Sequence, residues 1–100
     1  MSYFAVCSFD LTHGATRDDY AKAYADLAAL GLYHSLTASD GIKHTLPSTT
    51  CAGSFNGQSA TGVRDHLSGA VQRAFDARRF KYELFISVGG EDWTWWHRTT

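Results

Sequence analysis

Hydrophobic and polar residues alternate along the first part of the chain. One face of residues 3–11 is wholly apolar, and its members are Tyr3, Ala5, Cys7, Phe9 and Leu11. The other face begins with Phe4 and Val6 and ends with Ser8 and Asp10. A strand that is apolar on both faces for most of its length is typical of the centre of a sheet.

Two later segments show the three- and four-residue spacing of amphipathic helices. The first helix is predicted after an N-cap at Thr16, and its apolar stripe consists of Tyr20, Ala23, Tyr24, Leu27 and Leu30. Gly31 then supplies the left-handed residue that often ends a helix. The second helix is predicted after an N-cap at Ser59, and its stripe consists of Val63, Leu67, Ala70, Val71, Ala74 and Phe75.

Further strands are predicted over residues 32–39, 49–55 and 81–88, each next to a turn signal rich in Gly, Asn or Asp. Residues 43–47 are interpreted as a connection, because Pro47 cannot donate to a central ladder. The order β-α-β-β-α-β predicts an α+β, ferredoxin-like fold in which a four-stranded antiparallel sheet carries both helices on one face. A length of 100 residues fits one such domain, residues 1–100.

The predicted fold leaves one face of its sheet without helices. That face carries Phe4, Val6 and Phe85, and it is too apolar to remain in water, so we expect a second copy of the chain to cover it. A tail with three tryptophans follows Gly89-Gly90, as an aromatic tail or an extra strand. Trp93 and Trp95 are predicted to join the dimer interface. The alternative, in which the tail packs on its own domain, stays open.

Composition narrows the classes of protein. Lys and Arg total 9 and Asp and Glu total 10, for a formal net charge of −1, while hydrophobic residues make up 44%. This balance argues against general disorder and against a strongly basic nucleic-acid coat protein. No apolar segment is long enough to span a membrane, and the first residues lack a signal-peptide pattern. We therefore expect a cytoplasmic protein without a membrane partner.

The cysteines and most of the histidines suggest no metal or redox chemistry. Cys7 and Cys51 are too few for a disulfide framework and form no C-x-x-C motif, and Cys7 is predicted to be a small buried hydrophobe. Four histidines lack a ligand spacing such as H-x-x-x-H, and these are His34, His44, His66 and His97. A structural metal site is therefore not expected from them.

Asp10 is the first candidate for chemistry. It lies at the carboxyl end of the first strand, with Ser8 beside it and His13 one short loop away. Two Asp10 carboxylates that meet at a dimer axis could hold Mg²⁺, which prefers oxygen ligands and polarises phosphodiesters. His13 is a candidate general base. The alternatives are that Asp10 accepts backbone hydrogen bonds in the following turn and that His13 is merely solvated.

Basic residues gather where the second helix ends and the last strand begins, and they are Arg73, Arg78, Arg79 and Lys81. Cations favour helix C-termini, which explains the cluster without a function. The functional interpretation is a small phosphate-contacting patch that includes Arg78 and Arg79 and that a dimer would double. Since the chain has little other basic charge, such binding would be weak and sensitive to salt.

Several short motifs occur in order along most of the chain: Val6-Cys7-Ser8-Phe9-Asp10-Leu11, Leu30-Gly31, Tyr33-His34-Ser35-Leu36, Val63-Arg64-Asp65-His66-Leu67, and Leu84-Phe85-Ile86-Ser87-Val88 with Trp93 and Trp95. On these motifs the chain resembles the ferredoxin-like family that contains CRISPR-associated protein 2, the VapD-type ribonucleases and the antitoxin endoribonuclease GhoS. The resemblance is greatest to the SinR-like branch of that family.

The resemblance implies a homodimer whose sheets face each other, often with a C-terminal strand that reaches onto the partner. It also implies that Asp10 matches the proposed metal-binding Asp of the family and that Arg17 matches a family arginine, which would contact phosphates. The predicted function is that of a dimeric nucleic-acid-acting protein, either a Mg²⁺-dependent endoribonuclease acting on RNA or a toxin–antitoxin component. The alternative is a non-enzymatic homodimer that binds a protein partner through its sheet face and tryptophan tail.

Overall fold

The computed structural model describes residues 1–90 and 92–99 and has an α+β architecture. Its elements in chain order are β1 (Ser2–Leu11), α1 (Arg17–Ala29), β2 (Ser35–Thr37), β3 (Lys43–Thr45), β4 (Thr50–Asn56), α2 (Ala60–Ala77) and β5 (Tyr82–Gly89). Both predicted N-caps are confirmed, since the side chain of Thr16 accepts from the Asp19 N–H at 3.1 Å and that of Ser59 from the Gly62 N–H at 3.0 Å. Each cap satisfies a backbone donor that the first helical turn leaves without a partner.

β1 is the central strand of a three-stranded antiparallel sheet with the order β4-β1-β5. Cys7 pairs with Cys51 on one side and with Ile86 on the other, so β1 is hydrogen-bonded along both of its edges. The central position that its two apolar faces predicted is therefore confirmed.

The predicted four-stranded sheet is a three-stranded sheet and a separate two-stranded hairpin, β2–β3. β3 forms within residues 43–47, which were expected to be a connection. A local turn explains this difference, because the Ile42 N–H donates to Asp40 Oδ1 at 2.9 Å and Gly41 adopts a left-handed φ of 85°. Of the segment predicted as the second strand, only Tyr33 forms a bridge to β4, opposite Ala52.

Both helices pack on the same face of the sheet, the apolar face that β1 presents. α1 contributes the buried side chains of Ala23 and Leu27, and α2 contributes four that are spaced along its predicted stripe, namely Val63, Leu67, Val71 and Phe75. The Phe75 ring lies at the centre of this core, with the rings of Phe9, Phe80 and Tyr82 at centroid distances of 5.6, 5.6 and 5.3 Å. Burial of these apolar surfaces is the main term that stabilises the fold.

The end of α1 approaches β4 so closely that glycine is required there. A Cβ atom on Gly53 would lie 2.0 Å from the carbonyl oxygen of Gly31, which is backbone and cannot move aside. The helix end and the strand are therefore in direct backbone contact.

Residues 92–99, here called the tail, return across the helix-free face of the sheet. The Trp93 ring stacks on Phe4 of β1 with centroids 4.7 Å apart, and Trp95 contacts His44 of β3 edge to face at 5.5 Å. Trp96 remains 81% exposed. Among residues 1–90 and 92–99, no helix is both long enough and apolar enough to cross a membrane.

Candidate functional site

The half of the helix-free face that the tail does not cover forms an open groove at the carboxyl end of β1. We call it the acidic groove, and its lining consists of Ser8, Phe9, Asp10, Thr49, Glu83, Leu84 and Phe85. Phe85 is 65% exposed there, although it stands in the middle of β5. The groove therefore combines carboxylates with an exposed aromatic ring.

Asp10 and Glu83 are directly opposite each other in the pairing of β1 with β5, and both are exposed. Like charges at such cross-strand positions repel each other and destabilise a sheet. A cation bound between the two carboxylates would reverse the sign of that interaction. The sequence pattern does not reveal this pair, because nothing local fixes the register between strands so distant along the chain.

Asp10 is oriented by a tyrosine from α1. The Tyr20 hydroxyl accepts from the Leu11 N–H at 3.2 Å, and it can donate its one proton either to Asp10 Oδ1 at 3.0 Å or to the Leu11 carbonyl oxygen at 3.1 Å. Partial desolvation raises the pKa of Tyr20, and the hydrogen bond to Asp10 raises it further, so the phenol keeps its proton and acts as a donor. The alternative interpretation expected Asp10 to accept from backbone N–H groups of the following turn. The structure instead shows its carboxylate in contact with the Tyr20 side chain.

Thr49 lies in the wall of the acidic groove with a φ of 60°, a conformation in which β-branched residues are genuine outliers. Its N–H donates to the Tyr24 hydroxyl at 2.8 Å, and its carbonyl oxygen accepts from the Phe9 N–H at 3.1 Å. These two hydrogen bonds hold the strained residue in place. Backbone strain of this kind clusters at functional sites, and it is a second feature of the groove that no sequence pattern revealed.

Several predicted basic residues come to the end of the molecule that holds the groove. The Thr12 N–H donates to the Lys81 carbonyl oxygen at 2.8 Å, which joins the loop containing His13 to the start of β5. His13 and Arg79 are exposed, and each has a φ of 61°. Arg17 is the exposed first residue of α1. The chain path thus brings segments that carry a histidine and several basic residues to the end of the sheet where β1 ends and β5 begins, while the lining of the groove itself contains none of them.

Arg78, also predicted to bind nucleic acid, already has a partner within the chain. Its guanidinium donates to both carboxylate oxygens of Asp26, at 2.6 and 2.9 Å, and this ion pair ties the end of α2 to α1. The hydrogen bond to Asp26 raises the pKa of Arg78. A phosphate would have to compete with this bidentate contact, so the role of Arg78 in nucleic-acid binding stays a prediction.

The residues predicted for a dimer interface divide into two groups. Phe4 and Val6 are half-buried, and Trp93 and Trp95 contact residues of their own chain, which is the arrangement that the sequence left as an alternative. Phe85 remains exposed in the acidic groove. A role for these residues in contact with a second copy stays a prediction.

The acidic groove suits a metal ion that needs few protein ligands. In the part of the chain that the structure describes, no group of three or more His, Cys, Asp or Glu side chains converges to hold a metal. Asp10 and Glu83 supply two carboxylates per chain. Mg²⁺ is commonly held by one or two carboxylates and keeps several waters, so the donor set fits it.

The chain matches no protein-family model, and no curated protein sequence matches it. The functional argument therefore rests on the side chains of the site and not on relatives.

Proposed function

We propose that the protein is a homodimeric, Mg²⁺-dependent endoribonuclease whose reactive groups lie in the acidic groove. The observation that carries the proposal is the exposed Asp10–Glu83 pair, which faces solvent at the end of the sheet where basic side chains gather. Metal-assisted cleavage of a phosphodiester uses carboxylates that hold the metal ion, together with cationic side chains that contact the phosphates.

We also propose that the fold is ferredoxin-like at the level of its chain path. The antiparallel order β4-β1-β5 matches three strands of the split β-α-β unit. The bridge between Tyr33 and Ala52 sets the segment after α1 beside β4, where the fourth strand of that unit would lie. This path supports the family resemblance and, with it, a dimer of facing sheets.

Asp10 and Glu83 would hold the metal ion in the groove. When bound, Mg²⁺ supplies a Lewis acid that polarises the phosphodiester. The hydrogen bond from Tyr20 to Oδ1 of Asp10 would fix the orientation of the carboxylate, and the second oxygen would then bind the metal ion. Fixed ligands reduce the reorganisation that the reaction would otherwise require.

The surrounding side chains would bind and position the RNA. Arg17, Arg79 and Lys81 would contact phosphates, and His13 would accept the proton of the attacking oxygen. The net charge of −1 limits this electrostatic binding. Because few cationic side chains contact phosphates, the affinity should be weak, and its salt dependence should correspond to these few contacts. Phe85 offers an aromatic surface on which a base could stack or a second copy could pack.

The proposal is tested with Asp10→Asn, which removes the charge of the ligand and keeps its shape. We expect the purified protein to cleave structured RNA in Mg²⁺ and to stop when EDTA is added. The rate for Asp10→Asn should fall by at least about 100-fold, the lower range for loss of a group that acts in the transition state. Asp65→Asn is the matched control, because Asp65 is an exposed carboxylate on α2 that pairs with its neighbour Arg64.

Tyr20→Phe tests whether the orientation of the Asp10 carboxylate matters in addition to its charge. This variant keeps Asp10 but removes its hydrogen bond, so we expect an intermediate rate and a larger Mg²⁺ requirement. Cleavage by Asp10→Asn at the wild-type rate would refute the role of Asp10. Cleavage that EDTA does not change would refute the requirement for a metal ion.

The second candidate function is that of a non-enzymatic homodimer that binds a protein partner. It is favoured by two exposed aromatic residues, Phe85 at 65% and Trp96 at 81%. Aromatic side chains are enriched in the cores of protein interfaces. Absence of cleavage with every RNA tested, together with a stable dimer, would favour this function over the first.

A further inference from the structure

The structure brings together two histidines that are remote in the sequence. His44 lies on β3 and His97 lies in the tail, and their Nδ1 atoms are 3.0 Å apart. The two rings meet edge to face, with centroids 5.1 Å apart and planes inclined at 78°. Both residues are half-buried. Their spacing along the chain gave no sign of this contact.

Two nitrogens at this distance share either a proton or a metal ion. A hydrogen bond between them requires that one ring carries its proton on Nδ1 and that the other does not. Two imidazole nitrogens bound to a tetrahedral Zn²⁺ at about 2.0–2.1 Å each would lie about 3.3 Å apart, close to the separation seen here. A small movement of the rings therefore converts the contact into a chelate.

The surroundings of the pair leave room for a hydrated ion. His44 and His97 line an open pocket of about 510 Å³ together with Thr37, Ala38, Ser39 and the tail residues from Trp93 to Trp96. Thr99 Oγ1 lies 3.5 Å from Nε2 of His97, on the side away from His44. In the tautomer with its proton on Nε2, His97 donates to Thr99 Oγ1 and keeps Nδ1 available to a metal ion, which is the arrangement of a metal-bound histidine with an outer partner.

We propose that His44 and His97 form a binding site for a divalent transition-metal ion, Zn²⁺ in the first instance, which fastens the tail to the β2–β3 hairpin. Imidazole ligands suit Zn²⁺, Ni²⁺ and Cu²⁺, whereas Mg²⁺ prefers oxygen ligands. The site is therefore chemically distinct from the acidic groove and does not depend on the proposed function. Water would complete the coordination, since no third protein ligand from the described residues joins the pair.

Fastening the tail would change what the sheet presents to solvent. Trp93 covers Phe4 only while the tail lies across the helix-free face. A single hydrogen bond between two half-buried rings offsets little of the entropy lost when a tail is ordered. Two metal–nitrogen bonds hold the same segment more firmly, so occupancy of the site would control exposure of Phe4.

The binding test uses tag-free protein, because a polyhistidine tag would bind the same ions. Titration with ZnCl₂ by calorimetry should give one Zn²⁺ per chain. His44→Gln and His97→Gln should each weaken binding by more than about tenfold, because each removes one of two ligands. His66→Gln is the matched control, since His66 is exposed on α2 and should leave the affinity unchanged. Far-UV circular dichroism confirms that each variant is folded.

Tryptophan fluorescence reports on the tail alone, because all three tryptophans of the chain lie in it. Zn²⁺ should reduce quenching of this fluorescence by acrylamide in the wild type and in His66→Gln, but not in His44→Gln. Three results would overturn the proposal: no saturable binding up to about 1 mM Zn²⁺, equal affinity in the wild type and His44→Gln, or binding without any change in quenching.

Discussion

The two thiols of the chain show how burial sets the chemistry of single residues. Cys7 and Cys51 are direct neighbours across β1 and β4, and neither side chain is exposed. Burial raises the pKa of Cys7 to about 11 and that of Cys51 to about 12, and the nearby Cys7 adds to the shift of Cys51. Both groups are therefore neutral thiols near pH 7, and Cys7 is confirmed as a small buried hydrophobe.

Because these pKa values are raised in the folded state, stability should fall as the pH rises. Well below pH 9.0, the ordinary pKa of a thiol, both cysteines keep their protons in the folded and the unfolded chain. As the pH rises through 9.0, the unfolded chain loses its thiol protons before the folded chain does. The unfolded state then binds fewer protons than the folded state, so it is favoured. Urea unfolding from about pH 8 to about pH 10 should show a decreasing free energy of unfolding.

The matched variant is Cys7→Ala/Cys51→Ala. The smaller side chains should lower stability at every pH, so only the slope with pH is compared. Tyr20 and Tyr82 also have raised pKa values, mainly from desolvation, but they remain in both proteins and cancel in the comparison. Equal slopes in the two proteins would contradict the assignment to the cysteines.

Among the elements, the two helices end in the same way with different residues. After α1, the Leu32 N–H donates to the Leu27 carbonyl oxygen at 2.9 Å, and after α2 the Phe80 N–H donates to that of Phe75 at 3.1 Å. Each bond spans one left-handed residue, which is Gly31 at φ 90° after α1 and Arg79 at φ 61° after α2. Glycine suits this Schellman position, and arginine is strained there.

Relief of that strain should stabilise the protein. We expect Arg79→Gly to be more stable than Arg79→Ala by about 1 kcal/mol, because both remove the side chain and only glycine tolerates the positive φ. Gly31→Ala should destabilise by about 1 kcal/mol or more, since its Cβ would also lie 3.1 Å from Phe55 Cε1. Urea unfolding at neutral pH measures all three. If Arg79→Gly and Arg79→Ala were equally stable, the strain at residue 79 would be refuted.

Local sequence signals predicted the helices and most of the strands, whereas the sheet pairing and the contacts of the candidate sites depend on residues far apart in the sequence. The caps at Thr16 and Ser59 and the glycine at the end of α1 act within one turn of helix, so the pattern revealed them. β3 was not predicted. The turn at Asp40 and Gly41 closes a short loop, and closing a short loop costs little entropy. The local β2–β3 hairpin is therefore favoured over pairing of this segment with β4. The Asp10–Glu83 pair and the His44–His97 contact depend on register and on the tail's path, which no local pattern encodes.

At the scale of the whole molecule, the helix-free face is divided between the tail and the acidic groove. Trp93 and Trp95 contact residues of their own chain, whereas Trp96 stays exposed. The apolar surface left for a second copy is therefore centred on Phe85. A dimer built there would bring the carboxylates of two acidic grooves close together.

Dimerisation should consequently depend on Phe85 more than on the tail. Light scattering of the wild type in Mg²⁺ should give twice 11.0 kDa. Phe85→Ser removes the exposed ring without touching the core and should shift the protein towards the monomer. Trp96→Ser, which removes another exposed aromatic side chain, should leave the dimer intact. A wild-type monomer at micromolar concentration would refute the dimer, and an unchanged Phe85→Ser dimer would refute this interface.

The central position of β1 also governs when the chain can fold during its synthesis. Phe4 pairs with Gly89 and Leu11 pairs with Tyr82, so β1 leaves the ribosome well before the strand with which it pairs along this edge. Contacts of such wide sequence separation slow folding, and until they form, β1 exposes both an unpaired edge and an apolar face. We therefore expect the nascent chain to be most prone to aggregation just before β5 emerges.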